Sequence, residues 1–258
     1  MSAAAQFVWT YLRDLARSTA DLVLPEVCLA CQGAHVDSQG LCTQCLEKLL
    51  TLVGLPYCVR CGSNGGAAAA ERGCFNCPPV LPRFDRLVRL GPYDDPLKNL
   101  VRAFKYRRQE ALADFLGAML AQAVRGQCPQ DTFDVVLPAP AHWRRRLWRG
   151  YDHAASLAGA VARELKIPLG HELVRLRHTP PQAHLPRTRR LQNVRGAFGV
   201  LSPDGVRAAR VLLVDDVTTT GATADEATRT LLDAGAAHVT LAVIAKAQPP
   251  LAYAHPTT

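Results

Sequence analysis

No stretch of this 258-residue chain approaches eighteen apolar residues free of charge, so the sequence offers no bilayer span. No basic segment leads into its first apolar residues either. MSAAAQFVWTYLRDLARSTADLVLP is broken by Arg13, Asp14 and Arg17, which excludes a secretory signal and implies a cytoplasmic protein. Phe7, Val8, Tyr11, Leu12 and Leu15 instead share one helical face, which predicts an amphipathic helix over residues 1–24. Two phosphate-binding signatures are missing as well. There is no GxxxxGK[ST], which excludes the loop of nucleoside triphosphatases, and no GxGxxG, which argues against a dinucleotide fold. The eight histidines show no metal-ligand spacing.

Acidic residues are scarce in one region. Residues 141–199 carry twelve Lys/Arg against three Asp/Glu, a net +9, whereas the whole chain is +8. One segment therefore holds the entire positive excess, and an anionic partner such as a phosphate, pyrophosphate or nucleic acid is expected to meet it there.

Cysteine, by contrast, is plentiful and ordered. Eight of nine cysteines form four CxxC pairs: Cys28/Cys31, Cys42/Cys45, Cys58/Cys61 and Cys74/Cys77, separated by gaps of ten, twelve and twelve residues. Two CxxC turns supply the four thiolates of one tetrahedral zinc. The spacing predicts a double zinc ribbon over 25–80 with two structural zinc ions, the first pair joining the second and the third the fourth. A disulfide framework would need an oxidising compartment, which the absence of an export signal argues against. Four cysteines per ion leave no open position, so the zinc is structural rather than catalytic. Cys128 stands alone and reads as a small buried apolar residue. Residues 63–73 (SNGGAAAAERG) read as a loop tip and 78–82 (PPVLP) as a linker.

From Arg83 the pattern becomes alternating strands and helices. Strands are expected in RFDRLVRL, FDVVLPAP, VLLV (211–214) and HVTLAVIAKA. One or two helices are expected in residues 95–124, with Leu97, Leu100, Val101 and Phe104 on one face, and a further helix in YDHAASLAGAVARELK. This alternation predicts an α/β fold, a parallel sheet flanked by helices, whose ligands bind beyond the carboxyl ends of the strands.

The stretch VLLVDDVTTTGAT (211–223) lies at such an end. Asp215 and Asp216 emerge where the buried strand stops. Their mutual repulsion calls for a cation or for sugar hydroxyls donating hydrogen bonds. Thr218, Thr219, Thr220, Gly221, Ala222 and Thr223 then form a small-residue loop into a helix, whose converging amides suit a phosphate. Thr223 to Glu226 read as a capping box that marks the helix start. Acids for ribose or Mg²⁺ beside amides for phosphate fit a sugar phosphate.

This thirteen-residue stretch closely resembles the phosphoribosyl pyrophosphate (PRPP) signature of type I phosphoribosyltransferases. Together with the CxxC pairs it resembles the ComF family. FKYRRQ (104–109), VVLPAP (135–140), RRRLWRGYDHAASLA (144–158) and RHTPPQAHLPRTRRLQNVRGAFGV (177–200) are similar to ComF segments in the same order. The resemblance implies a type I phosphoribosyltransferase fold over 83–248, followed by a tail, 249–258. It implies a glycosyltransferase reaction in which phosphoribosyl passes from PRPP to an acceptor with Mg²⁺ assistance. By that resemblance Asp215 and Asp216 hold the ribose hydroxyls, directly or with Mg²⁺. The sequence shows no residue that must act as general base; Asp216 is the candidate. Residues 218–223 cradle the 5-phosphate. The loop Leu137–Ala141, with Pro138 and Ala139, meets pyrophosphate beside the basic run through Arg149. Residues 178–195 form a hood that closes over PRPP and supplies Arg187, Arg189 or Arg195. Thr219 stands where purine-salvage members carry a further acid, which argues against a purine acceptor and leaves the acceptor open.

The same resemblance implies a link to DNA uptake and natural competence. Two other readings follow: a single-stranded-DNA-binding factor that works with other competence proteins, and a PRPP sensor without chemistry. Trp143 and Trp148 lie among arginines and could stack on bases, but the reading favoured is that both are core residues and the arginines meet pyrophosphate. His142 and His178 lie near the expected phosphate site.

Overall fold

The computed structural model describes residues 27–33, 36, 40–65, 74–106, 110–140, 152–177 and 192–247. The expected helix over 1–24, the tip of the 63–73 loop, the basic run with Trp143, Trp148 and Arg149, most of the hood with Arg187 and Arg189, His142, His178 and the tail lie outside the described residues.

A four-stranded parallel sheet forms the centre, in the order β1–β6–β5–β2. Its strands are β1 (Arg86–Pro92), β2 (Val135–Pro138), β5 (Arg210–Thr218) and β6 (His238–Lys246). Their near-continuous apolar runs reflect burial on both faces, as parallel sheets require. Successive side chains alternate between the two faces. Val88, Leu90, Leu212, Val214 and Ile244 join one core with helices α2 (Leu97–Tyr106), α3 (Glu110–Gln127) and α4 (His153–Leu165). Leu87, Val211, Leu213, Val239 and Leu241 join the other with α5 (Ala222–Asp233). Residues 95–124 thus form two helices, and Leu97, Leu100, Val101 and Phe104 are all fully buried. Cys128 is buried, as a small apolar residue would be.

α3 and α4 cross at Gly117, where an added Cβ would lie 2.4 Å from the Cβ of Ala160. Gly117→Ala is expected to force the helices apart and to cost about 1–3 kcal/mol. A urea titration unchanged from wild type would contradict that close approach.

The cysteine-rich segment is welded to this domain. Cys28, Ala30, Leu41, Cys45 and Leu49, the last two on α1 (Thr43–Val53), belong to the same apolar cluster as α2 and α3. The next turn covers the open edge of β1, where the Leu87 amide donates to the Val59 carbonyl at 2.7 Å. An edge strand is thereby paired instead of exposed. Gly62 has φ +74, and an added Cβ would meet Leu87 at 2.9 Å, so only glycine fits beneath this turn.

Two differences from the sequence expectations concern the opening of the site. β5 runs through both aspartates to Thr218 instead of ending at Val214, because its backbone stays paired with β6 as far as Lys246. The capping box does not form. The N-cap of α5 is Gly221, with φ +82 and no side-chain cap, so Thr223 is already the second helical residue. Glu226 instead accepts from the Gly196 amide at 2.7 Å and from Arg229. A short antiparallel pair, β3 (Leu173–Arg175) with β4 (Phe198–Val200), was not anticipated. It stands at the base of the expected hood.

Candidate functional site

The eight paired cysteines gather in two sets. Cys28, Cys31, Cys42 and Cys45 form one and Cys58, Cys61, Cys74 and Cys77 the other, with all sulfurs of a set within 4.8 Å of one another. Sequential pairing is therefore what the fold adopts. Sγ···Sγ separations are 3.8 Å for Cys31–Cys42 and for Cys58–Cys77, and 3.7 Å for Cys61–Cys74. Sulfurs held tetrahedrally ~2.3 Å from one zinc are about 3.8 Å apart, so both donor sets fit the ion. Backbone amides point at the sulfurs: Cys42 N–H at Cys28 Sγ (3.4 Å) and Cys74 N–H at Cys77 Sγ (3.2 Å). Burial pushes the Cys28 thiol up, yet amides nearby outweigh it and hold the group down at about 6, poised as a thiolate ligand.

Arg89 lies beneath the second set. It is 2% exposed on β1, stacked 4.6 Å over the Tyr57 ring and hydrogen-bonded to Asn64 Oδ1. Among the described residues its Nε and Nη1 have no hydrogen-bond partner. Burial depresses its pKa to about 10, opposed by the charges of Tyr57 and Cys61. A tetrathiolate zinc centre carries a net double negative charge, and it would supply the countercharge this guanidinium lacks.

Asp215 and Asp216 sit at the carboxyl end of β5. Neighbouring strand residues face opposite sides of the sheet. Asp216 forms an ion pair with Lys105, Nζ to Oδ1 at 2.9 Å. Of the two offsets the sequence leaves open, a cation or sugar hydroxyls, Lys105 supplies a cation to Asp216. Lys105 ends the apolar face of α2, and its carbonyl is hydrogen-bonded to the ring of His153, which packs edge-on to Phe104 with centroids 5.5 Å apart. Asp215 accepts from the Asp216 amide at 2.8 Å. Burial first, and the Asp216 charge second, push the Asp215 carboxyl up to about 7, against the opposing pull of Lys105 and Arg175.

The loop after Asp216 is clamped from β6. Lys246, 7% exposed, donates to the carbonyls of Thr219 and Ala247, and the Ala247 amide donates to the Thr218 carbonyl at 2.8 Å. Thr218 is buried at the end of β5, Thr219 is exposed, and Thr220 Oγ1 accepts from the Ala222 amide at 3.4 Å. Gly221 and Ala222 open α5, so its first-turn amides converge on this loop. Pro138 and Ala139 are brought alongside: Pro138 pairs with Val214, and the Ala139 amide donates to the Val214 carbonyl at 2.8 Å. Arg195 is exposed and shares with Thr220, Gly221 and Ala222 the lining of a pocket of about 670 Å³. That pocket opens beside the loop; neither aspartate lines it.

Sequence reasoning passed over Lys105 and Lys246. Lys246 carried a usable signal, since it ends the strand that neighbours β5 and must emerge at the same rim. Lys105 lies in FKYRRQ, which is similar to a ComF segment, but its spacing gave it no role: a lysine one residue past a buried phenylalanine looks like any helix-end cation. The donor chemistry at the rim is hard oxygen, two carboxylates and threonine hydroxyls, which suits Mg²⁺ once a ligand brings further oxygens.

Comparison with known proteins agrees with this geometry. The "Double zinc ribbon domain" family matches residues 19–78 and the "Phosphoribosyl transferase domain" family matches residues 152–253. "Competence protein F" of Haemophilus influenzae is 33% identical over 226 residues, covering 85% of this chain and 96% of that protein. "DNA utilization protein YhgH" of Escherichia coli K12 is 31% identical, over 84% of this chain and 96% of that protein. "Competence protein ComFC" of Bacillus subtilis is 28% identical, over 77% and 80%. Among the described residues no helix is long and apolar enough to cross a membrane.

Proposed function

This chain belongs to the ComF family, joining a double zinc ribbon to a phosphoribosyltransferase-type domain, and from that premise we propose that it binds PRPP with Mg²⁺ and transfers phosphoribosyl to an acceptor, in the cytoplasm and in the service of DNA uptake or use. The observation that carries the reading is the juxtaposition at one rim of the sheet of the Asp215/Asp216 pair, the clamped 218–223 loop and the 138–139 backbone. The first-turn amides of α5 and the hydroxyls of Thr218, Thr219, Thr220 and Thr223 cradle the 5-phosphate. Asp215 and Asp216 take the ribose hydroxyls. Pro138 and Ala139 start the loop that meets pyrophosphate, with Arg149, Arg187, Arg189 and Arg195 as its cationic partners. The acceptor attacks the anomeric carbon while the bond to pyrophosphate breaks, and the chain acts mainly by positioning and by stabilising charge. Mg²⁺, when bound, neutralises charge on the departing pyrophosphate.

A calorimetric titration of PRPP with Mg²⁺ into the zinc-loaded protein tests this, followed by an acceptor screen for pyrophosphate release. Saturable binding is expected; no binding by the wild type would overturn the reading. Affinity is also expected to depend on pH. With Asp215 near 7, its charged form is lost as pH falls, so binding should weaken by up to about tenfold per unit below that value. Asp215→Asn should flatten this step, and a wild-type profile flat from pH 8 to 5.5 would contradict the role of Asp215.

The names of the relatives, which speak of competence and DNA utilization, favour a second reading in which the chain is a non-enzymatic competence factor that binds single-stranded DNA. The positive excess of residues 141–199 would then meet nucleic acid. DNA affinity would fall steeply with salt and survive loss of Asp215 and Asp216, whereas PRPP affinity would not.

A further inference from the structure

Lys105 is placed more firmly than a helix-end lysine requires. Its side chain is 23% exposed and that of Asp216 19%, so their 2.9 Å pair is shielded from bulk screening. The backbone is pinned from behind: the Lys105 carbonyl is held by the His153 ring, His153 is buried at the start of α4, and Phe104 beside it is fully buried. The other nearby lysine is committed elsewhere, because Lys246 is spent on the carbonyls of Thr219 and Ala247. The carboxylates themselves are poorly arranged for a bare ion, since they face opposite sides of a strand.

We infer that Lys105 is the resident counter-ion of the aspartate pair, a positioning residue that keeps a divalent cation from settling on Asp215 and Asp216 alone, so that the metal reaches this rim only with an oxyanionic ligand. This rests on the proposed PRPP site and adds an order of binding to it. Mg²⁺ and its analogues need about six oxygens. The rim offers an ion two carboxylates, one of them already neutralised by an ammonium group. A ligand that brings phosphate oxygens supplies both the missing donors and the negative charge that offsets Lys105.

Mn²⁺ alone is the probe, titrated into the full zinc-loaded chain and followed by loss of the free-ion paramagnetic resonance signal. The wild type is expected to show no site that depends on Asp216. Lys105→Met and Lys105→Gln, which unmask one unit of negative charge, should gain a single site at least about tenfold tighter. Lys105→Arg should behave as wild type, and Lys105→Met/Asp216→Asn should lose the gained site. Zinc content and thermal unfolding establish that each variant is folded. Equal Mn²⁺ affinity in wild type and both neutral variants overturns the inference. So does an Mn²⁺ site in the wild type that Asp216→Asn abolishes, a result that needs no Lys105 variant. Because PRPP is absent from these titrations, failure of the counter-ion role and failure of the PRPP reading are separate outcomes.

Discussion

The Asp215→Ala/Asp216→Ala variant is expected to lose PRPP binding altogether, at least about a hundredfold, while still folding. On the proposed reading two carboxylates that take ribose hydroxyls vanish together, and a charge-assisted hydrogen bond contributes ~1.5–3 kcal/mol, so the pair would account for two or more decades of affinity. Loss of Asp216 leaves Lys105 without its carboxylate partner and costs stability, but loss of Asp215 works the other way, because Asp215 is a cost to the unliganded protein. Its carboxyl is raised to about 7 by burial and by Asp216, whereas in the unfolded chain it titrates near 3.8. Between those values the folded state holds a proton that the unfolded state has released. Stability therefore falls as pH rises through this window, and the loss is complete above pH 7. Asp215→Asn should accordingly raise the melting temperature at pH 8 and leave it nearly unchanged at pH 4. A functional group kept at the expense of stability is a common pattern at binding sites. Calorimetry with PRPP and Mg²⁺ and thermal melts at the two pH values read both halves. Retained affinity in the double variant would remove the aspartates from the site.

Stripping zinc should be the most damaging treatment. Two ions per chain are expected, and their removal should lower the melting temperature by about 10 °C or more or abolish a single cooperative transition. The reason lies in the packing. Cys28 and Cys45 belong to the apolar cluster that contains Leu100, Phe104 and Leu116 of the α/β domain, so losing the first site opens that shared core. Losing the second site leaves Arg89 buried with two nitrogens that find no acceptor among the described residues, and it frees the turn that covers the edge of β1. Cys58→Ser should release one zinc and destabilise the sheet edge. Arg89→Met, an apolar replacement, should make the chelated protein less fragile than chelated wild type. A zinc-free chain that melts like the loaded one would show that the ribbon is not part of the domain's stability.

The contrast between the two centres explains how much the sequence revealed. Zinc ligation is local in sequence. Each CxxC turn brings two sulfurs together by itself, and consecutive turns close the tetrahedron, so Cys28 to Cys77 could be assigned from spacing. The β5–α5 stretch is also contiguous, which is why Asp215, Asp216 and residues 218–223 could be proposed together from the sequence. The apolar strands likewise declared a parallel sheet, because burial on both faces leaves a continuous hydrophobic run. Helix boundaries were less secure: Gly221 displaced the apparent capping box, since the loop needs a positive φ and Glu226 is drawn away to Gly196 and Arg229.

Tertiary structure alone decided the rest. Lys105 meets Asp216 across more than a hundred residues, and Lys246 reaches Thr219 from the next strand; neither pairing leaves a periodic trace. The sequence likewise suggested a ribbon joined by a linker, whereas the fold packs Cys28, Ala30, Leu41, Cys45 and Leu49 of the first ribbon against the domain core and docks the second on a strand edge. Short-range geometry writes its ligands into residue spacing. Charge compensation between distant elements is fixed only when the strands stack in the order β1–β6–β5–β2 and bring their ends to one rim.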